Sequence, residues 1–122
     1  MNNIEIINNH VASKFHYEFK FEFYGSDILK IVGSEDVLFS KEIEITFHEV
    51  FSITCNSFWK LDAKIKFLEQ ITDSPLGKEI NSKYGVEVGF QVFKLNNEDN
   101  IDFFVVAESI SWNWISESEA ES

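Results

Sequence analysis

Apolar and polar residues alternate with a period of two over much of the chain. Phe15, Tyr17, Phe19, Phe21 and Phe23 alternate with His16, Glu18, Lys20 and Glu22. Strand side chains point to the two faces in turn, so the run Phe15–Tyr24 predicts a long strand with five aromatics on a buried face. Gly25-Ser26-Asp27 is a turn signal, after which Ile28 to Val32 returns beside the first strand. Gly33 to Asp36 turns again, and Val37-Leu38-Phe39 opens a third strand. In Glu42–Phe47, residues Ile43, Ile45 and Phe47 point inward, and Phe51, Ile53 and Cys55 continue the alternation.

Residues 58–71 fit two templates. Leu61, Ile65 and Leu68 suit a helical stripe, whereas Trp59, Leu61, Ala63, Ile65 and Phe67 alternate, which favours a strand over 63–70. A short helix is predicted over Pro75–Lys83. Ser74 suits an N-cap, Pro75 loses no hydrogen bond at the first helical position, and Gly85 suits the stop. Val86, Val88, Phe90 and Val92 then alternate as a strand, and Asn96 to Asn100 forms a hairpin loop. Ile101 to Ala107 reads as a buried strand, and Ile110, Trp112 and Trp114 mark the last one. The expected fold is mainly β (a β-rich α+β chain): an antiparallel sheet or sandwich of seven to eight strands with one short helix near 75–83. Residues 1–115 form one domain in this reading, and 116–122 a disordered acidic tail.

Composition narrows the function. The chain of 122 residues holds thirteen Phe, three Trp and three Tyr, enough for an aromatic core. It carries a formal charge of −11 with ten Lys and no Arg. Phosphate backbones and anionic lipid surfaces would repel such a chain, so neither nucleic acid nor membrane is expected as a partner. The first residues do not read as a signal peptide, and a lone Cys55 has no internal disulfide partner, which together point to the cytoplasm. Residues 1–57 hold four Lys and nine acids, whereas residues 95–122 hold seven acids and no Lys. If the two ends adjoin, one face is strongly anionic and draws cations toward it.

Signatures of catalysis are sparse. Gly33-Ser34 lacks the flanking glycine of a nucleophile elbow, and no glycine-rich loop precedes a helix. His10, His16 and His48 have no partner at metal-ligand spacing, and Glu98-Asp99-Asn100 with Asp102 lacks the spacing of a calcium loop. His16 and His48 fall on wet strand faces, where Glu18, Glu44 or Glu49 could pair with them. Cys55 reads as a small buried hydrophobe rather than a nucleophile. No catalytic residue, metal or cofactor is expected.

The acids carry the functional expectation. Glu18 and Glu22 share one strand face, as do Glu42 and Glu44, and like charges side by side on a sheet repel. A basic partner would relieve that repulsion on binding. Tyr24, Trp112 and Trp114 tolerate a half-wet position and could anchor such an interface, although the two Trp also fit a core stripe. The expected binding face comprises Glu18, Glu22, Tyr24, Glu42, Glu44, Glu98, Asp99, Asp102, Trp112 and Trp114.

In its size, its acidity, Phe15–Tyr24, Glu42–Phe47, the Ser74–Gly85 helix and the closing Glu108-Ser109-Ile110-Ser111-Trp112, the chain resembles the small immunity proteins of bacterial contact-dependent growth inhibition and polymorphic toxin systems. That resemblance implies a cognate basic toxin, often a nuclease, neutralised by one-to-one binding. It transfers no binding residue. Two other readings compete: a phage-type inhibitor whose carboxylates mimic nucleic-acid phosphates, and a β protein with an aromatic-lined cavity for a small ligand.

Overall fold

The computed structural model describes residues 2–62, 65–86 and 88–115. Seven strands form one curled antiparallel sheet, a half-barrel, accompanied by two short helices. In chain order these are α1 (Asn3–Ala12), β1 (His16–Gly25), β2 (Ile28–Ser34), β3 (Ile43–Thr54), β4 (Phe58–Asp62), β5 (Leu68–Gln70), α2 (Pro75–Tyr84), β6 (Gln91–Leu95) and β7 (Phe103–Trp114). The sheet order is β4-β1-β2-β3-β7-β6-β5. The mainly β, antiparallel expectation holds, in one sheet rather than two.

The inner face of the curl is the core. Tyr17, Phe19, Leu29, Ile31, Ile43, Ile45 and Phe47 supply it from β1 to β3, as alternation predicted. Phe19 stacks on Phe67 with ring centroids 4.0 Å apart and on Trp59 at 5.4 Å, while Trp59 meets Phe103 edge-on at 5.7 Å. Trp59 and Phe103 belong to strands that are not neighbours in the sheet, so these rings fill the interior from wall to wall. Among the described residues, these rings occupy the middle of the curl, where an aromatic-lined ligand cavity would lie.

Helix α1 was not predicted. Its Ile7 and Val11 are buried in the same core, with Ile4 packed beside them. The N-cap Asn2 accepts a hydrogen bond from the Glu5 N–H at 2.8 Å. Asn2 followed three residues later by Glu5 is a capping signature, with an apolar stripe at Ile4, Ile7 and Val11 behind it. Asn8 also closes the open edge of β5: it donates to the Leu68 carbonyl and accepts from the Leu68 N–H, both at 2.8 Å.

Other expectations need correction. Phe15 precedes β1 and is almost fully exposed, and Phe23 is half exposed. The β1–β2 register shifts between Phe21 and Phe23, so alternation breaks and Phe23 turns outward opposite Lys30. Val37-Leu38-Phe39 is a turn, not a strand. Val37 is buried there while Leu38 and Phe39 are exposed. Glu49 adopts a left-handed backbone (φ 52°) and the β3 register shifts between Val50 and Ser52. Phe51 consequently leaves the main core and rests against Phe90, while Ile53 and Cys55 stay against it.

The ambiguous stretch resolves into β4 and β5, with a strand at 68–70 and residues 63 and 64 outside the described set. The strand expected from Val86 begins only at Gln91, and Val88 is fully exposed. The two strands expected at 101–107 and 110–114 are one continuous β7, starting at Phe103. The expected tail, 116–122, also lies outside the described residues.

Helix α2 matches its prediction closely. Ser74 accepts from the Gly77 N–H at 3.0 Å, and Gly85 ends the helix with φ 63°. The helix lies on the outer face of the sheet, where Ile80 packs on Val92 and Val106 in a second, smaller cluster.

Candidate functional site

The expected acidic face divides into two sets. The strand set is occupied with its own structure. Glu42 receives hydrogen bonds from the Tyr17 hydroxyl at 2.8 Å and pairs with the His10 imidazole of α1. Partial burial raises the Glu42 carboxyl, but the His10 and Tyr17 bonds and the nearby Lys14 outweigh it and hold it below its ordinary value. Burial and the same Glu42 contact push the Tyr17 phenol far up, so it stays protonated and donating.

Glu18 behaves alike. Its carboxylate bonds His16 at 3.1 Å and accepts the Val37 N–H at 3.1 Å, pinning the 35–40 turn over β1 and β2. Burial opposes its ionisation, yet His16, the Val37 N–H and Lys60 lower it on balance. Glu22 pairs with Lys41 at 2.6 Å and Glu44 with Lys30 at 3.7 Å. A row of acids expected to repel is interleaved with His and Lys partners from neighbouring segments.

The loop set is different. Asp102 precedes β7 and lines an outer cleft of about 260 Å³ between α2 and the ends of β3 and β7. Ile80, Phe104, Val106 and Leu76 form its apolar walls, and Ser52, Thr54 and Tyr84 bring hydroxyls. Glu79 and Lys83 project from α2 into the same cleft. Among the described residues Glu79, Glu98, Asp99 and Asp102 make no ion pair. Glu98 and Asp99 are exposed on the same loop as Asp102. Asn97 shapes that loop: it is buried, it accepts the Asp99 and Ile101 N–H groups, and it donates to the Ile101 carbonyl. The Glu98 N–H donates across the curl to the Lys60 carbonyl at 3.1 Å. These bonds hold the loop's backbone and leave its carboxylates to solvent.

The chain preceding α2 fixes the cleft's outer wall. The Ile71 N–H donates to the Val92 carbonyl at 2.8 Å, and the Val92 N–H to the Thr72 hydroxyl at 2.9 Å. Gly77 lies so near the Ile71 carbonyl that a Cβ there would sit 1.9 Å from its oxygen. A side chain at position 77 would push α2 off the sheet.

Of the expected aromatic anchors, Trp112 packs against the main core and meets Trp114 edge-on at 4.9 Å. Trp114 is half exposed beside His10, and Tyr24 is exposed near the β1–β2 turn. Neither lines the cleft. Cys55 is partly buried, and burial pushes its thiol up to about 12, a poor nucleophile at neutral pH. His48 bonds the Ser111 hydroxyl at 2.7 Å rather than a carboxylate. No group of His, Cys, Asp and Glu among the described residues could hold a metal, and no described helix is long and apolar enough to cross a membrane.

Sequence reasoning missed Ser52, Thr54, Glu79, Tyr84 and Phe104 at the cleft. Only Glu79 was within reach, because its spacing from Ile80 and Lys83 on a well-predicted helix shows which side faces the sheet. Comparison with family profiles, curated proteins and solved structures finds no significant match to this chain.

Proposed function

We propose that this protein is a cytoplasmic immunity-type inhibitor, which binds and neutralises a basic protein toxin, of nuclease type, through the α2 cleft and the loop at 96–102. The observation that carries this reading is two carboxylates free of ion pairs among the described residues, Glu79 and Asp102, lining a cleft with apolar walls, with the equally unpaired Glu98 and Asp99 on the loop that carries Asp102. Apolar contacts give such an interface its residence time, and unpaired charge gives it speed and choice of partner. The charge of −11 extends the same field over the molecule. The interleaving of the strand acids with Lys and His does not favour a phosphate-like row of charge, and the rings of Phe19, Trp59, Phe67 and Phe103 packed across the curl do not favour a small-ligand carrier.

The test is the rate at which the chain associates with the product of a neighbouring reading frame that encodes a basic C-terminal domain. Exposed charges are screened beyond about 8–10 Å at moderate salt, so the association rate should fall at least about tenfold from low to high ionic strength. An association rate indifferent to salt, or no binding at either salt, overturns the reading.

A further inference from the structure

The cleft's size and chemistry point to a specific occupant. Sites for whole small molecules run from about 300 to 1,000 Å³, so a cleft of about 260 Å³ lies at the small end and has room for one long side chain. Its walls at Ile80, Phe104 and Val106 suit an aliphatic stem or a flat π surface, and among the described residues its charged groups are Glu79, Asp102 and Lys83. Lys83 lies four residues after Glu79 on the same face of α2, yet no ion pair joins them. Its ammonium lies 5.4 Å from the centroid of the Tyr84 ring. Both carboxylates are therefore available to an incoming donor.

Resting on the inhibitor reading, we propose that the cleft is the anchor pocket for one arginine side chain of the basic partner. A guanidinium presents five donors in a planar fork, pairs with carboxylates and hydroxyls together, and stacks on aromatic faces. Glu79 and Asp102 take the charge, Ser52 and Thr54 can accept further N–H groups, and Phe104 offers a ring. A lysine ammonium matches the charge but not the planar contact. Arginine is also among the residue types that dominate binding energy at protein interfaces.

The test uses the isolated full chain and three capped amino acids: N-acetyl-arginine amide, N-acetyl-lysine amide and N-acetyl-leucine amide. Backbone amide shifts are followed by NMR during titration. The arginine compound should saturate in the millimolar range, with its largest shifts at Thr54, Glu79, Tyr84 and Asp102. Asp102→Asn and Glu79→Gln should each weaken it about threefold, the loss expected for an exposed carboxylate that pairs with a cation. Glu22→Gln, at a paired acid on the sheet, should leave it unchanged. Absence of saturation, tighter binding of the leucine compound, or lysine binding as well as arginine overturns the inference. If arginine fails here while association with the basic protein still depends on salt, the pocket assignment falls and the inhibitor reading stands. If arginine binds but the basic protein does not, the inhibitor reading falls and the pocket stands.

Discussion

Glu42 and Asp102 were expected to serve one surface, and the fold gives them different surroundings. Glu42 ties α1 to the sheet through His10 and receives the Tyr17 hydroxyl. Asp102 lines an open cleft with no ion pair among the described residues. The difference repeats for their neighbours: Glu18, Glu22 and Glu44 have basic partners, whereas Glu79, Glu98 and Asp99 have no ion pair within the described chain. An acid already committed to an internal cation can bind a partner only by giving up that contact. Net charge thus says how strong the field is, and ion pairing says which carboxylates remain to be used.

The largest expected effect lies beneath both sets. Phe19→Ala removes a ring stacked between Trp59 and Phe67 and should cost roughly 3–5 kcal/mol of folding stability, read by denaturant unfolding. An unchanged midpoint would mean that the rings do not form one core. Gly77→Ala comes next. Alanine normally favours a helix over glycine by about 1 kcal/mol. Here its Cβ would strike the Ile71 carbonyl, and destabilisation of about 1–3 kcal/mol is expected. The substitution should distort the cleft while leaving the strand acids paired, so partner binding falls more than the loss of folded protein explains.

Glu42→Gln should cost about 1–2 kcal/mol, the value of charged hydrogen bonds reduced for partial exposure, and it should loosen α1. Hydrogen exchange at Ile7 and Val11 would show that loosening, and unchanged protection would separate α1 from the Glu42 contact. The pH dependence has a definite sign. Glu18 and Glu42 titrate lower when folded than when unfolded. Their stabilisation is complete above the ordinary glutamate value of about 4.3 and is lost as pH falls through their depressed folded values. Wild type should therefore lose stability more steeply below about pH 4.3 than Glu42→Gln, which lacks one of the two groups. Parallel curves would contradict the assigned role of Glu42.

The sheet was largely legible because burial on one face imposes a period of two, as Tyr17, Phe19, Ile43, Ile45 and Phe47 show. Alternation failed where the backbone departs from a regular strand, at the Phe21–Phe23 shift and at Glu49, since bulges leave little trace in residue type. Helix α2 was legible through Ser74, Pro75 and Gly85, which act on the backbone next to them. The cleft was not, because Ser52, Glu79 and Asp102 are distant in sequence and meet only once α2 docks on β7. The division of acids was equally hidden: Lys30, Lys41 and His10 reach their carboxylates through strand pairing and helix docking that no local pattern specifies.

The claim that loop carboxylates bind and strand carboxylates hold the fold is tested most directly by two double charge reversals. Asp99→Lys with Asp102→Lys is compared with Glu42→Lys with Glu44→Lys, measuring thermal unfolding and the association rate with the basic partner on the same samples. The loop pair should melt within about 0.5 kcal/mol of wild type, as exposed substitutions do, and associate at least about tenfold more slowly. The strand pair should be plainly destabilised, and its remaining folded fraction should associate closer to the wild-type rate. A loop pair that binds at the wild-type rate, or a strand pair that folds normally and fails to bind, would contradict the account.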